Sequence, residues 1–195
     1  MHQVDFYFDF ISPYSYLAVI QIPELAKKHD VAFNWIPVNL PKLIQLSGNV
    51  PPSLIKNKAI YSLKDLKRWA AYLDVPFKMI RPGSFDSRPA LAIAAALQDG
   101  ERERFCLGVF HAVWSGDIDP RQEAWLEKVF RAQGFPQGWL KYADAHAPIL
   151  MENTQVALKA GAFGVPLFVL HGQARPELFF GVDHLHFLER ACAKA

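Results

Sequence analysis

The sequence predicts an α/β fold whose sheet is drawn from the two ends of the chain, with a large all-helical insertion between them. Three observations carry this expectation. Alternating apolar residues mark two strands in the first forty residues, with a helix start between them. Near the end, a compact apolar run, a turn and a second short strand precede one more helix. Between these ends, apolar residues recur only at helical spacing. A chain of 195 residues, 51% hydrophobic and 21% charged, has enough apolar surface to build a core without staples.

The elements follow in order. Val4, Phe6, Phe8 and Phe10 alternate with Asp5, Tyr7 and Asp9, the period of a strand. Ser12-Pro13 then opens a helix, since Ser is favoured at the N-cap and Pro at the first helical position. That helix runs to about Lys28, and Pro23 kinks it or opens a second one. Val31–Val38 alternates again. A βαβ order favours parallel pairing. Asn49-Val-Pro-Pro52 is a loop. From Lys56, the residues Ala59, Leu63, Leu66, Ala70 and Leu73 fall at helical spacing, and further helices are expected near 88–99, 101–115, 121–133, 136–144 and 150–161. Val165–Leu170 is a strand, 171–175 a turn and Glu177–Phe180 a second strand. Asp183 then caps a helix carrying Leu185, Phe187 and Leu188. A βαβ half and a ββα half separated by helices is the thioredoxin-like plan. Residues 1–40 and 156–195 are expected to form the thioredoxin-like domain, and 41–155 the helical insertion.

The composition excludes several classes. The two cysteines, Cys106 and Cys192, form no CxxC, which argues against a disulfide scaffold, a zinc finger and a dithiol redox centre. A net charge of +2 argues for neither nucleic acid nor an anionic membrane. His184 and His186 diverge on their helix, and His29, His111, His146 and His171 are scattered, so no metal site is expected. The first residues have no basic region before their apolar stretch. The longest apolar runs, 90–97 and 161–170, are far short of the roughly 20 residues that span a bilayer. A soluble cytoplasmic protein is expected.

In the thioredoxin-like plan, the loop from the first strand to the first helix is the active loop. It reads Ser12-Pro13-Tyr14-Ser15 here, with hydroxyls at both sulfur positions. Dithiol exchange is therefore lost. A hydroxyl at a helix N-terminus can still donate to a thiolate brought by another molecule, or it can serve only as a cap. Val165-Pro166 is either an edge-strand proline or the cis proline facing the active loop. In the second case its predecessor offers backbone N–H and C=O to a peptide-like ligand. Asp183 in Gly181-Val182-Asp183 is either a helix cap or the receiver of an α-ammonium group, with backbone N–H groups taking a carboxylate. Lys58, Tyr61, Asp65, Arg68 and Trp69 share one helix face, which is either solvated or the wall of a cleft for an anionic aromatic ligand.

Several stretches resemble the 2-hydroxychromene-2-carboxylate isomerases, glutathione-dependent relatives of kappa-class glutathione transferases in the DsbA-like thioredoxin group. They are Phe6-Tyr-Phe-Asp-Phe-Ile-Ser-Pro-Tyr-Ser-Tyr-Leu-Ala18, Gly48-Asn-Val-Pro-Pro-Ser53, Tyr61 with Asp65-Leu-Lys-Arg-Trp-Ala70, Ser87-Arg88, Phe110-His-Ala-Val-Trp114, Gly161-Ala-Phe-Gly-Val-Pro-Leu-Phe168 and Phe180-Gly-Val-Asp183. The resemblance implies glutathione as cofactor, a small aromatic carboxylate as substrate and a homodimer. It implies that Ser12 hydrogen-bonds the glutathione sulfur, that Val165 pairs with the cysteinyl backbone beside Pro166, and that Asp183 takes the γ-glutamyl ammonium beside the Val182 backbone. Asn49 and Lys58 would hold glutathione or the substrate carboxylate. Tyr61, Arg68, Trp69 and Arg88 would position substrate. Val182 and His184 stand where similar proteins carry a small polar residue and Arg, which puts one side-chain bond to the γ-glutamyl carboxylate in question. The implied reaction is an isomerisation by reversible thiolate addition. Its rivals are a kappa-like transferase and a non-catalytic binding module.

Overall fold

The computed structural model describes residues 2–145, 147–172 and 175–193. His146 and positions 173–174 of the expected turn lie outside the described residues. The chain begins with β1 (His2–Phe8), α1 (Pro13–Val19), α2 (Ile22–His29) and β2 (Val31–Pro37). Helices follow: α3 (Leu40–Ser47), α4 (Lys56–Tyr72), α5 (Arg88–Ala96), α6 (Asp99–Trp114), α7 (Trp125–Gln133), α8 (Tyr142–Ala145) and α9 (Ala147–Lys159). The chain returns to the sheet as β3 (Leu167–Leu170) and β4 (Glu177–Phe180), then ends in α10 (Leu185–Cys192).

The sheet order is β2-β1-β3-β4. β1 runs parallel to β2, with Phe6 opposite Trp35, and antiparallel to β3, with Phe6 opposite Phe168. β3 and β4 are antiparallel. β1 lies inside the sheet, and both its faces are covered. On one face Val4, Phe6 and Phe8 join Phe10, Trp35, Phe105, Phe110, Trp114 and Phe168 in the main core. Phe6 and Phe168 stack at 5.0 Å, and Phe10 meets Phe110 at 4.8 Å. On the other face Tyr7 packs with Val38, Leu43, Ala157, Leu167 and Val169, beneath α3 and α9. This is the expected thioredoxin-like arrangement with a helical insertion.

The differences are local. The segment after β2 carries a helix, α3, where none is expected from the pattern. Asn39 Oδ1 accepts from Lys42 N at 3.1 Å, Pro41 sits in the first turn, and Gly48 ends the helix at φ 70°. The strand expected from Val165 begins at Leu167, after the cis Val165-Pro166 peptide. The helix near 121 begins at Trp125, after Ala124 in the left-handed region. The helix near 136 begins as a 3-10 turn over Gln137–Lys141. Asp183 is not a helix cap. Gly181, at φ 93°, turns the chain into a 3-10 segment over Val182–His184, so α10 starts at Leu185 without a side-chain cap.

Gly108 shows how closely the helical layer packs. A Cβ there would lie 2.7 Å from Phe135 Cζ. Gly108→Ala is therefore expected to destabilise the protein by about 1–3 kcal/mol in urea unfolding, although alanine is the better helix former. An unchanged or raised midpoint would contradict this packing.

Candidate functional site

The site is built where β1 hands over to α1. Ser12 is the N-cap of α1 with extended backbone, and its Oγ accepts from Ser15 N at 3.1 Å. The same Oγ donates to Val165 O at 3.4 Å, across 153 positions of sequence. The active loop and the cis proline segment therefore meet. The loop is anchored at its base, where Trp114 Nε1 donates to Phe10 O at 2.9 Å and Ser12 N donates to Asp9 O at 3.0 Å. Ser15 is fully buried one turn further on, and its hydroxyl has no partner among the described residues.

Around Ser12, the expected residues divide into two sets. Pro166 O accepts from Gly181 N at 2.9 Å, which ties the cis proline to the turn holding Val182 and Asp183. That turn packs against α1. The Val182 side chain is turned into the core, so only its backbone can face a ligand. The Asp183 carboxylate is 65% exposed, with His184 Nδ1 at 3.9 Å. Glycine is favoured at 181 by its positive φ of 93°, since a Cβ there would meet only the free end of the exposed Asp183 side chain. Asn49 donates to Phe163 O at 2.8 Å and so reaches the same approach to Pro166. α4 is brought to α1 by Tyr14, whose hydroxyl donates to Asp65 Oδ2 at 3.2 Å. Burial, with Asp65 adding to it, pushes the Tyr14 phenol up to about 12.

The other set is less engaged. Lys58, Tyr61 and Arg68 on α4 are exposed. Trp69 is half-buried against the core, edge-on to Tyr72 at 5.7 Å. Arg88 turns back on Asp86, with Nη2–Oδ2 at 2.7 Å, and holds that carboxyl below its usual range. Its guanidinium is not directed to Ser12 by any described contact.

Asp9 escaped the sequence reading. Its side chain is wholly buried, and burial pushes its carboxyl up to about 6 against the pull of hydrogen bonds from Ser87, Leu40 and Ile11. The available signal was an acidic residue inside an aromatic run, which needs partners if it is buried.

Both cysteines are buried and unpaired, and burial pushes the Cys106 thiol well up. Among the described residues no group of three or more His, Cys, Asp or Glu side chains could hold a metal ion. No described helix is long and apolar enough to cross a membrane. An apolar cavity of about 680 Å³ opens at the far end of α1, between Val19, Ile20, Leu107 and Phe135. It does not include Ser12 or Val165.

Residues 3–193 match the DSBA-like thioredoxin domain. A 2-hydroxychromene-2-carboxylate isomerase from Sphingobium xenophagum is 33% identical, over 95% of this chain and 95% of its own. The chain belongs to the 2-hydroxychromene-2-carboxylate isomerase family. A solved structure of a 2-hydroxychromene-2-carboxylate isomerase superposes with a TM-score of 0.83 at 28% identity, covering 98% of this chain and 95% of that one. Glutathione S-transferase kappa 1 from Caenorhabditis elegans is 29% identical, over 95% of this chain and 88% of its own.

Proposed function

We propose that this member of the 2-hydroxychromene-2-carboxylate isomerase family is a glutathione-dependent isomerase. Its reaction would be the conversion of 2-hydroxychromene-2-carboxylate to trans-o-hydroxybenzylidenepyruvate. The observation that carries this reading is Ser12, a hydroxyl at the N-cap of α1, facing Val165 O where no protein sulfur is present.

The residues fit glutathione. Among the described residues the Val165 N–H has no acceptor, and Val165 O is engaged only by the 3.4 Å bond from Ser12. That backbone is open to the peptide-like part of a ligand. When bound, glutathione supplies the thiolate nucleophile that the chain lacks. The Ser12 hydroxyl turns from Val165 O to hydrogen-bond that sulfur and, with the Tyr14 N–H in a first turn where Pro13 has no N–H and Ser15 N is bonded to Ser12 Oγ, favours its anionic form. Asp183 receives the γ-glutamyl ammonium beside the Val182 backbone, and Pro166 shapes the contact at Val165. Asn49 and Lys58 hold glutathione or the substrate carboxylate. Tyr61, Arg68 and Trp69 on α4 form the wall for the aromatic substrate, with Arg88 as a further cation. A cationic side chain there stabilises the negative charge that develops on the substrate oxygen.

On this reading, residues 1–40 and 156–195 form the thioredoxin-like domain, and the insertion of 41–155 closes the substrate side. The protein works as a cytoplasmic homodimer. Two unpaired cysteines suit a reducing compartment, and light scattering in solution tests the dimer. The deciding experiment is calorimetry with glutathione, which is expected to show saturable binding with one site per chain. Absence of detectable binding would remove the cofactor and the mechanism with it. The kappa-class relatives support a second reading, a transferase. A chromogenic conjugation assay run beside the isomerisation assay separates the two.

A further inference from the structure

The loop that presents Ser12 is held from beneath by a group that the proposed chemistry does not use. Asp9 Oδ1 accepts from Ile11 N at 3.1 Å and from Ser87 Oγ at 2.7 Å. Its Oδ2 accepts from Leu40 N at 2.9 Å. Its own carbonyl accepts from Ser12 N at 3.0 Å. One fully buried residue thus joins the end of β1, the Ser12 loop, the first turn of α3 and the residue before α5. No cation pairs with it among the described residues, so the three donors alone offset its burial.

We propose that Asp9 is a positioning residue for the Ser12 hydroxyl: its ionised carboxylate locks the active loop to α3 and α5, and protonation loosens that lock. The inference rests on the assignment of Ser12 given above. The donor set explains why the charge matters. Two of the donors are backbone N–H groups, which cannot reverse. The Ser87 hydroxyl can. A proton is therefore accommodated on Oδ1 only by donating to Ser87 Oγ and reversing that bond, which weakens the acceptor available to Ile11 N. The charged group that acts on Asp9 from the α5 side is Asp86, which opposes its ionisation and is itself held by Arg88. On the α3 side Lys42 is engaged by Gln45 at 3.0 Å. With its carboxyl pushed up to about 6, Asp9 changes state within the working range of a cytoplasmic enzyme.

The test uses the full chain and two readouts. Without ligand, the amide signals of Ile11, Ser12 and Leu40 are followed by NMR as pH changes. They are expected to move together, with a common midpoint of about 6. Ser87→Ala removes a donor that holds the pKa down, so the midpoint is expected to rise by roughly half a unit or more. The acid limb of kcat for isomerisation should rise by the same amount, with KM for glutathione changed less than about twofold. A midpoint that Ser87→Ala leaves in place would overturn the proposal. So would an acid limb that stays put while the amide midpoint moves. Failure of the Ser12 assignment reads differently, because Ser12→Ala would then keep full isomerase activity while the ligand-free amides of the wild-type protein still titrated.

Discussion

Ser12→Ala is expected to lower kcat for isomerisation by about 100-fold or more while the protein still folds. A single preorganised donor to a developing or stored anion has that order of effect. Ser12 is such a donor, held at the N-cap of α1 and buried to 4% exposure beside Val165 O. The structural cost is separate and small. Alanine removes the acceptor for Ser15 N, and loss of an N-cap costs about 1 kcal/mol. A thermal melt beside a steady-state assay distinguishes the two effects. Full activity in the variant would withdraw the role given to this hydroxyl, and a large loss of stability would mean that the residue is chiefly a cap.

Trp114→Ala should be the most damaging change to stability, at about 3–5 kcal/mol for the lost packing alone. Trp114 is among the largest fully buried side chains, stacked on Phe77 at 5.9 Å. Its indole N–H also satisfies Phe10 O at 2.9 Å, and an orphaned buried carbonyl adds about 1–3 kcal/mol. The sum is a large share of the 5–15 kcal/mol typical of a domain. Trp114→Phe keeps most of the ring contact and isolates the hydrogen bond, so about 1–3 kcal/mol is expected in urea unfolding, together with reduced turnover. Phe10 is two residues before Ser12, and the indole is therefore part of what holds the active loop. A near-neutral Trp114→Phe would show that Phe10 O finds another donor.

What could be read from the sequence was whatever its own neighbours specify. β1 and β2 are legible because alternation is local, and the start of α1 because Ser12 and Pro13 are adjacent signals. The break between α1 and α2 follows from Pro23, which lies in the first turn of α2. α3 was not legible. It has eight residues, only Leu43 fully buried, and its stability comes from packing under the sheet beside α9 rather than from a long periodic face. The start of α10 is not legible either, because the turn made by Gly181 places Asp183 in a 3-10 segment ahead of the helix. The meeting of Ser12 with Val165 could be expected from the thioredoxin-like plan. The role of Asp9 could not, since its donors Leu40 and Ser87 are 31 and 78 positions away. Long-range polar contacts leave no periodic trace.

The sheet order also bears on how the protein is made. β1 pairs with β2 within the first forty residues, but its other edge waits for β3, more than 150 residues later. At the roughly 5–20 residues per second of translation, that edge leaves the ribosome about 8–30 seconds before its partner exists. During this interval the nascent chain carries an aromatic strand with one unpaired side, the kind of surface that aggregates or recruits a chaperone. Completion of the sheet, and with it the meeting of Ser12 and Val165, therefore waits until the helical insertion and β3 have been made.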